Sequence, residues 1–82
     1  MNTLNKKSCE EIAKAAGKRL VKIFGGRSEV NWYDKFAEVI FTPRSRCNYT
    51  DLVHEAQLQV SENDKRFQSV IIGDSFVCQY FD

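Results

Sequence analysis

The chain has 82 residues and a mass of 9.5 kDa, which is room for a single domain over residues 1–82. Twelve Lys and Arg against eleven Asp and Glu leave a net charge of +1, and 43% of the residues are hydrophobic. With one Pro and four Gly, this composition excludes a collagen-like repeat, a disordered charged tail and a large enzyme scaffold. The small net charge conceals a gradient. Residues 1–27 carry seven basic groups against Glu10 and Glu11, a local +5, whereas residues 49–82 carry six acidic groups against Lys65 and Arg66, a local −4.

Residues 1–7 read as a frayed tail, basic at Lys6 and Lys7, with no apolar stretch after it of the kind a signal peptide needs. Apolar runs stay far below the ~20 residues that span a bilayer, so no membrane partner is expected. Together these features predict a cytoplasmic protein whose three cysteines, Cys9, Cys47 and Cys78, are reduced.

The first element is an amphipathic helix over about residues 9–24. Ser8-Cys9-Glu10-Glu11 fits a capping box, and Cys9, Ile12, Ala13, Ala16, Leu20, Ile23 and Phe24 recur at helical spacing. Gly25-Gly26 ends it. Gly17 inside it costs about 1 kcal/mol relative to Ala unless a neighbour packs closely there. Phe36 to Thr42 is rich in β-branched and aromatic residues and predicts a strand ending at Pro43; a helix from Trp32 through Ile40 is the competing assignment. Pro43 to Asn48 reads as an exposed loop.

Residues 50–62 admit two readings. Tyr49, Leu52, Val53, Ala56 and Val60 share a helical face, with Asn48 or Thr50 as N-cap, while Leu52, His54, Ala56, Leu58 and Val60 alternate as in a strand. The helix is preferred, leaving Leu58 off its face. Phe67 to Ile72 and Ser75 to Phe81 flank Gly73-Asp74 and predict a terminal hairpin. The expected fold is α+β: an N-terminal helix, a short second helix and a small antiparallel sheet, in the order α-β-α-β-β, or an α-β-β-β-β meander if residues 50–62 form a strand.

No residue constellation in the chain carries chemistry. Cys9, Cys47, His54 and Cys78 lack the close ligand pairs of structural zinc sites, so no metal is expected. Cys47 and His54 alone have no third group to orient the imidazole. Val70-Ile71-Ile72-Gly73-Asp74-Ser75 resembles the opening block of the GDSL-type esterases over six residues, but that family sets its Asp and His far downstream, and the sole histidine here precedes the block. A hairpin turn accounts for the triplet. Gly17-Lys18 lacks the upstream glycine and the following Ser or Thr of a phosphate loop, and Gly25-Gly26-Arg27-Ser28 lacks the upstream glycine and the Lys. No cofactor is implied.

These readings point to a small non-enzymatic protein that docks on another protein as a regulator or inhibitor, a role common among accessory proteins of bacteria and their phages. Aromatics make up 12% of the chain, and Tyr, Trp and Arg are enriched at binding hot spots, so Trp32, Tyr33, Arg44, Arg46 and Tyr80 are the expected contacts. The last strand, apolar on both faces, is expected to be an exposed sheet edge through which copies could associate. The alternative is a weak nucleic-acid binder using Lys14, Lys18, Lys22, Arg27, Arg44 and Arg46.

Overall fold

A computed structural model describes residues 9–58, 60 and 66–81. The predicted tail, the Ser8 cap and the far end of the 50–62 segment lie outside the described residues, apart from Val60. Helix α1 (Cys9–Phe24) is followed by β1 (Gly26–Trp32), β2 (Phe36–Pro43), α2 (Tyr49–Gln57), β3 (Arg66–Ile72) and β4 (Ser75–Phe81). The four strands form one antiparallel sheet in the order β1-β2-β4-β3, with both helices packed on one face.

The α+β class holds, with α1, β2 and the hairpin at their expected places. Strand β1 is an addition: no element was expected in Gly26–Trp32. Its sequence, GRSEVNW, has only one β-branched apolar residue, Val30, so its strand character comes from pairing with β2 along its whole length, Gly26 opposite Pro43 to Trp32 opposite Ala37. Tertiary pairing here outweighs intrinsic propensity. Residues 49–57 are helical, with the Asn48 side chain accepting from the Thr50 N–H at 2.9 Å.

Register builds the core. On the helix-covered face, Ala37, Tyr80 and Phe67 form one row across β2, β4 and β3; Val39, Cys78 and Ser69 form the next; Phe41, Phe76 and Ile71 form the third. Ala37, Val39, Phe41, Phe76, Cys78 and Tyr80 are fully buried beneath Ile12, Ala13, Ala16 and Leu20 of α1 and Leu52 and Ala56 of α2. The helices are tied by Arg19 Nε donating to Glu55 at 2.6 Å, and α2 is tied to β4 by the Tyr80 hydroxyl donating to the Ala56 carbonyl at 2.7 Å. Gly17 has the close neighbour that offsets its cost: a Cβ there would stand 2.9 Å from Ser28 Oγ, so α1 approaches β1 to within touching distance.

Two expectations about the C-terminal strand are corrected. β4 is not an edge; it is hydrogen-bonded on both sides, to β2 and to β3, so copies cannot pair through it without unfolding the sheet. Apolar residues on both of its faces reflect a central position, where even Val77, on the face without helices, is screened by Ile40 and Val70 beside it. Tyr80, expected as a partner contact, is fully buried and spends its hydroxyl on Ala56, so it is a core residue. Burial raises the pKa of that hydroxyl, with the Cys78 thiol beside it adding to the effect.

Candidate binding surface

The uncovered face of the sheet is graded from charged to apolar. Its rows run Arg27-Thr42, joined through the Thr42 and Ser75 hydroxyls (3.0 Å) to Ser75-Ile72; then Glu29-Ile40-Val77-Val70; then Asn31-Glu38-Gln79-Gln68, where Gln79 donates to Glu38 at 3.2 Å. Charge therefore sits at the β1 edge, and branched hydrocarbon sits at the β3 edge.

β3 is the part of the molecule least consistent with an isolated sheet. Val70, Ile71 and Ile72 are 49%, 46% and 61% exposed and consecutive, so apolar surface shows on both sides of the strand. From Phe67 to Ile72 there is no charged residue. Among the described residues no other strand pairs with its outer edge. The hairpin geometry says which backbone groups face outward. Gly73 has φ +61 and Asp74 a negative φ, the signature of a type II′ turn, so Ile72 and Ser75 exchange their backbone hydrogen bonds. Alternation from that pair turns the N–H and C=O of Ile71, Ser69 and Phe67 away from β4, where no other described strand pairs with them.

One groove, about 640 Å³, opens beside this edge at the end of the sheet where β2 leaves it. Leu52 and Phe76 are its buried floor, Tyr49 and Ile71 its walls. Tyr49 is fixed by edge-on packing against Phe76, ring centroids 5.7 Å apart, and by a 2.8 Å hydroxyl contact with Ser69 of β3. Arg44 and Arg46 from the β2–α2 loop line the groove along with Asp74 of the hairpin turn. Neither arginine forms an ion pair among the described residues. The Arg44 N–H donates to the Gly25 carbonyl at 3.1 Å, which pins the loop to the end of α1. Cys47, half-buried, donates its thiol to the Ser45 carbonyl at 3.3 Å.

The expected contact residues do not form one site. Arg44 and Arg46 share the groove, whereas Trp32 and Tyr33 lie at the opposite end of β2, roughly 23 Å away at ~3.3 Å per residue. There Tyr33 stacks on Phe36 (4.6 Å) and Phe36 on Phe81 (5.1 Å), and Lys14 lies 5.2 Å from the centre of the Trp32 ring while also pairing with Glu10 at 3.0 Å. Of the basic residues, Lys22 in the last turn of α1, Arg27 at the start of β1 and the Arg44/Arg46 loop come to the same end of the sheet; Lys14 and Lys18 lie further back along the helix. Arg27, however, faces the uncovered side, away from α1.

Among the described residues no group of three His, Cys, Asp or Glu side chains is placed to share a metal ion, and no helix is long and apolar enough to cross a membrane. Cys9 and Cys78 are buried, and no disulfide forms among the described residues; burial pushes the Cys78 thiol up to about 12, the Tyr80 hydroxyl pulling the other way and Glu38 adding to the rise. Sequence reasoning missed Val70, Ile71 and Ile72. The unalternated, uncharged run was visible, but only the strand order reveals that it lies at an edge. No family model and no curated protein matches the chain.

Proposed function

We propose that the chain is a small non-enzymatic docking protein that receives an extended segment of another protein as a fifth strand along β3, and so acts as a regulator or inhibitor of that partner. The observation behind this reading is the uncharged run from Phe67 to Ile72 of β3, with Val70, Ile71 and Ile72 all about half exposed or more. Native edges are ordinarily blunted by charge, Pro or a covering loop, and an open apolar edge supplies backbone hydrogen bonds for affinity and alternate side chains for specificity. A cytoplasmic setting belongs to the proposal, since Cys9, Cys47 and Cys78 form no disulfide with one another.

The test uses Ser69→Pro. By the alternation above, the Ser69 N–H points outward, so proline removes a donor that a partner strand needs and spares the bonds to β4. The tagged chain should retain a stoichiometric protein from its host's lysate, and Ser69→Pro should lose it while Arg27→Ala keeps it. Equal recovery by Ser69→Pro, or no recovered partner at all, contradicts the reading.

The convergence of Lys22, Arg27, Arg44 and Arg46 on one end favours a second reading, a weak nucleic-acid contact at that end. It predicts retention on heparin that falls steeply with salt and with Arg44→Glu plus Arg46→Glu; flow-through at low salt removes it.

A further inference from the structure

We infer that the groove beside β3 selects the docking segment by taking an acidic side chain seated next to an apolar one. The inference rests on the strand-addition reading and adds to it the chemistry of the segment. Three observations carry it. Ile71 belongs both to the exposed edge and to the groove wall, so a strand laid along β3 passes the groove's mouth. Ile71 points to the helix-covered face, in the row of Phe41 and Phe76, and residues paired across a sheet point to the same face. A partner side chain beside Ile71 is therefore directed at the groove rather than at the open side of the sheet.

Charge then identifies what enters. Arg44 and Arg46 line the groove against the single carboxylate of Asp74, the Arg44 guanidinium lying over Gly25 at the end of α1, and neither has an ion-pair partner among the described residues. Guanidinium matches carboxylate geometrically, with two parallel hydrogen bonds per pair. The floor of Leu52 and Phe76 is hydrocarbon, which suits an adjoining apolar side chain. A phosphate backbone fits less well, because Asp74 lines the same groove and Asp51 begins the adjacent helix α2. An Asp or Glu neighbouring a Val, Leu, Ile or Phe complements the arginines and the hydrocarbon floor while bringing one negative charge rather than the chain of charges of a phosphate backbone.

The experiment is selection of random twelve-residue peptides displayed on phage against the intact chain, followed by anisotropy titration of the best peptide. Enriched peptides should carry an acidic residue adjacent to or two positions from an apolar one. Replacing that acid by its amide, or making Arg44→Gln with Arg46→Gln in the protein, should weaken binding roughly tenfold, the range of a charge-assisted hydrogen bond. Ser69→Pro, or Val70→Lys if the proline variant melts early, should abolish binding of the same peptide. Circular dichroism melts check that each variant folds; Arg44, Arg46 and Val70 are exposed. Peptides that need β3 but show no acidic preference and tolerate the double Gln variant overturn the groove inference and leave strand addition standing. Peptides that ignore the β3 variants overturn strand addition, and with it this inference. A single-stranded oligothymidylate that displaces the peptide and loses affinity with salt assigns the arginines to nucleic acid and overturns it as well. Failure to enrich any peptide counts against both.

Discussion

Strands β1 and β3 hold equivalent positions at the two edges of one sheet, yet β1 places Arg27 and Glu29 on the uncovered face where β3 places Ile72 and Val70 in the same rows. β1 is also covered on its other face, where α1 packs so closely that Ser28 occupies the space a side chain at position 17 would need. β3 is anchored by its pairing with β4, by Phe67 against Tyr80 (ring centroids 5.2 Å apart) and by the Tyr49–Ser69 hydroxyl contact, and its last three residues are left largely bare. Charge at an open edge keeps other chains from adding to the sheet, and hydrocarbon at an open edge invites them. The protein guards one edge and leaves the other open, so the asymmetry, not apolar exposure in general, locates the candidate interface.

Substitutions at either edge, and titration of the strand between them, should affect the molecule unequally. The largest effect is expected at Gly26, the first residue of β1, with φ +120: a Cβ there would collide with the Thr42 carbonyl and stand 2.8 Å from the Arg44 amide. Gly26→Ala should lower stability by roughly 3 kcal/mol in urea unfolding, combining a strained φ with a backbone clash. Alkaline pH tests β4 as a buried central strand. In the unfolded chain Cys78 ionises near pH 9, whereas in the fold it holds its proton to about 12. The folded state therefore binds more protons in that window, and its stability, complete below pH 9, should fall as pH rises toward 12. Each such group contributes about 1.4 kcal/mol per pH unit; Tyr80, shifted in the same direction, adds to the loss above pH 10. Thermal melts from pH 7 to 11 measure this, and Cys78→Ala should flatten the slope. At the open edge Gly73 has φ +61 but nothing within 4 Å, so Gly73→Ala meets no clash and should cost the backbone strain alone, about 2 kcal/mol. Smallest in stability but most telling is Arg27→Val with Glu29→Val. It should change unfolding by less than about 0.5 kcal/mol, yet make β1 an apolar edge and produce concentration-dependent association in sedimentation.

Much of the fold was legible in the residues. The α1 face, the Gly25-Gly26 stop, β2 up to Pro43 and the Gly73-Asp74 turn each rest on local chemistry, and each stands where that chemistry puts it. β1 was not legible, because Arg27, Glu29 and Asn31 dilute its pattern and its partner strand supplies what propensity does not. The site was legible only in fragments. Arg44 and Arg46 were visible as a basic loop, but their convergence with Ile71 and Asp74, about thirty residues away, depends on β4 lying between β2 and β3. The same strand order turned the last strand from a supposed edge into the centre and Tyr80 from a contact into core. Apolar residues on both faces mark a strand as buried or as sticky, and only its neighbours decide which.

Addition of a partner strand to β3 would show in amide hydrogen exchange on the intact chain with and without a selected peptide. In the free protein Val70 and Ile72, bonded to β4, should exchange slowly and Phe67, Ser69 and Ile71 quickly. With peptide bound, those three should become protected by about tenfold or more, while β1 is unchanged. Protection that appears on β1 or on α1 instead, or binding that leaves Phe67, Ser69 and Ile71 exchanging as before, would contradict it.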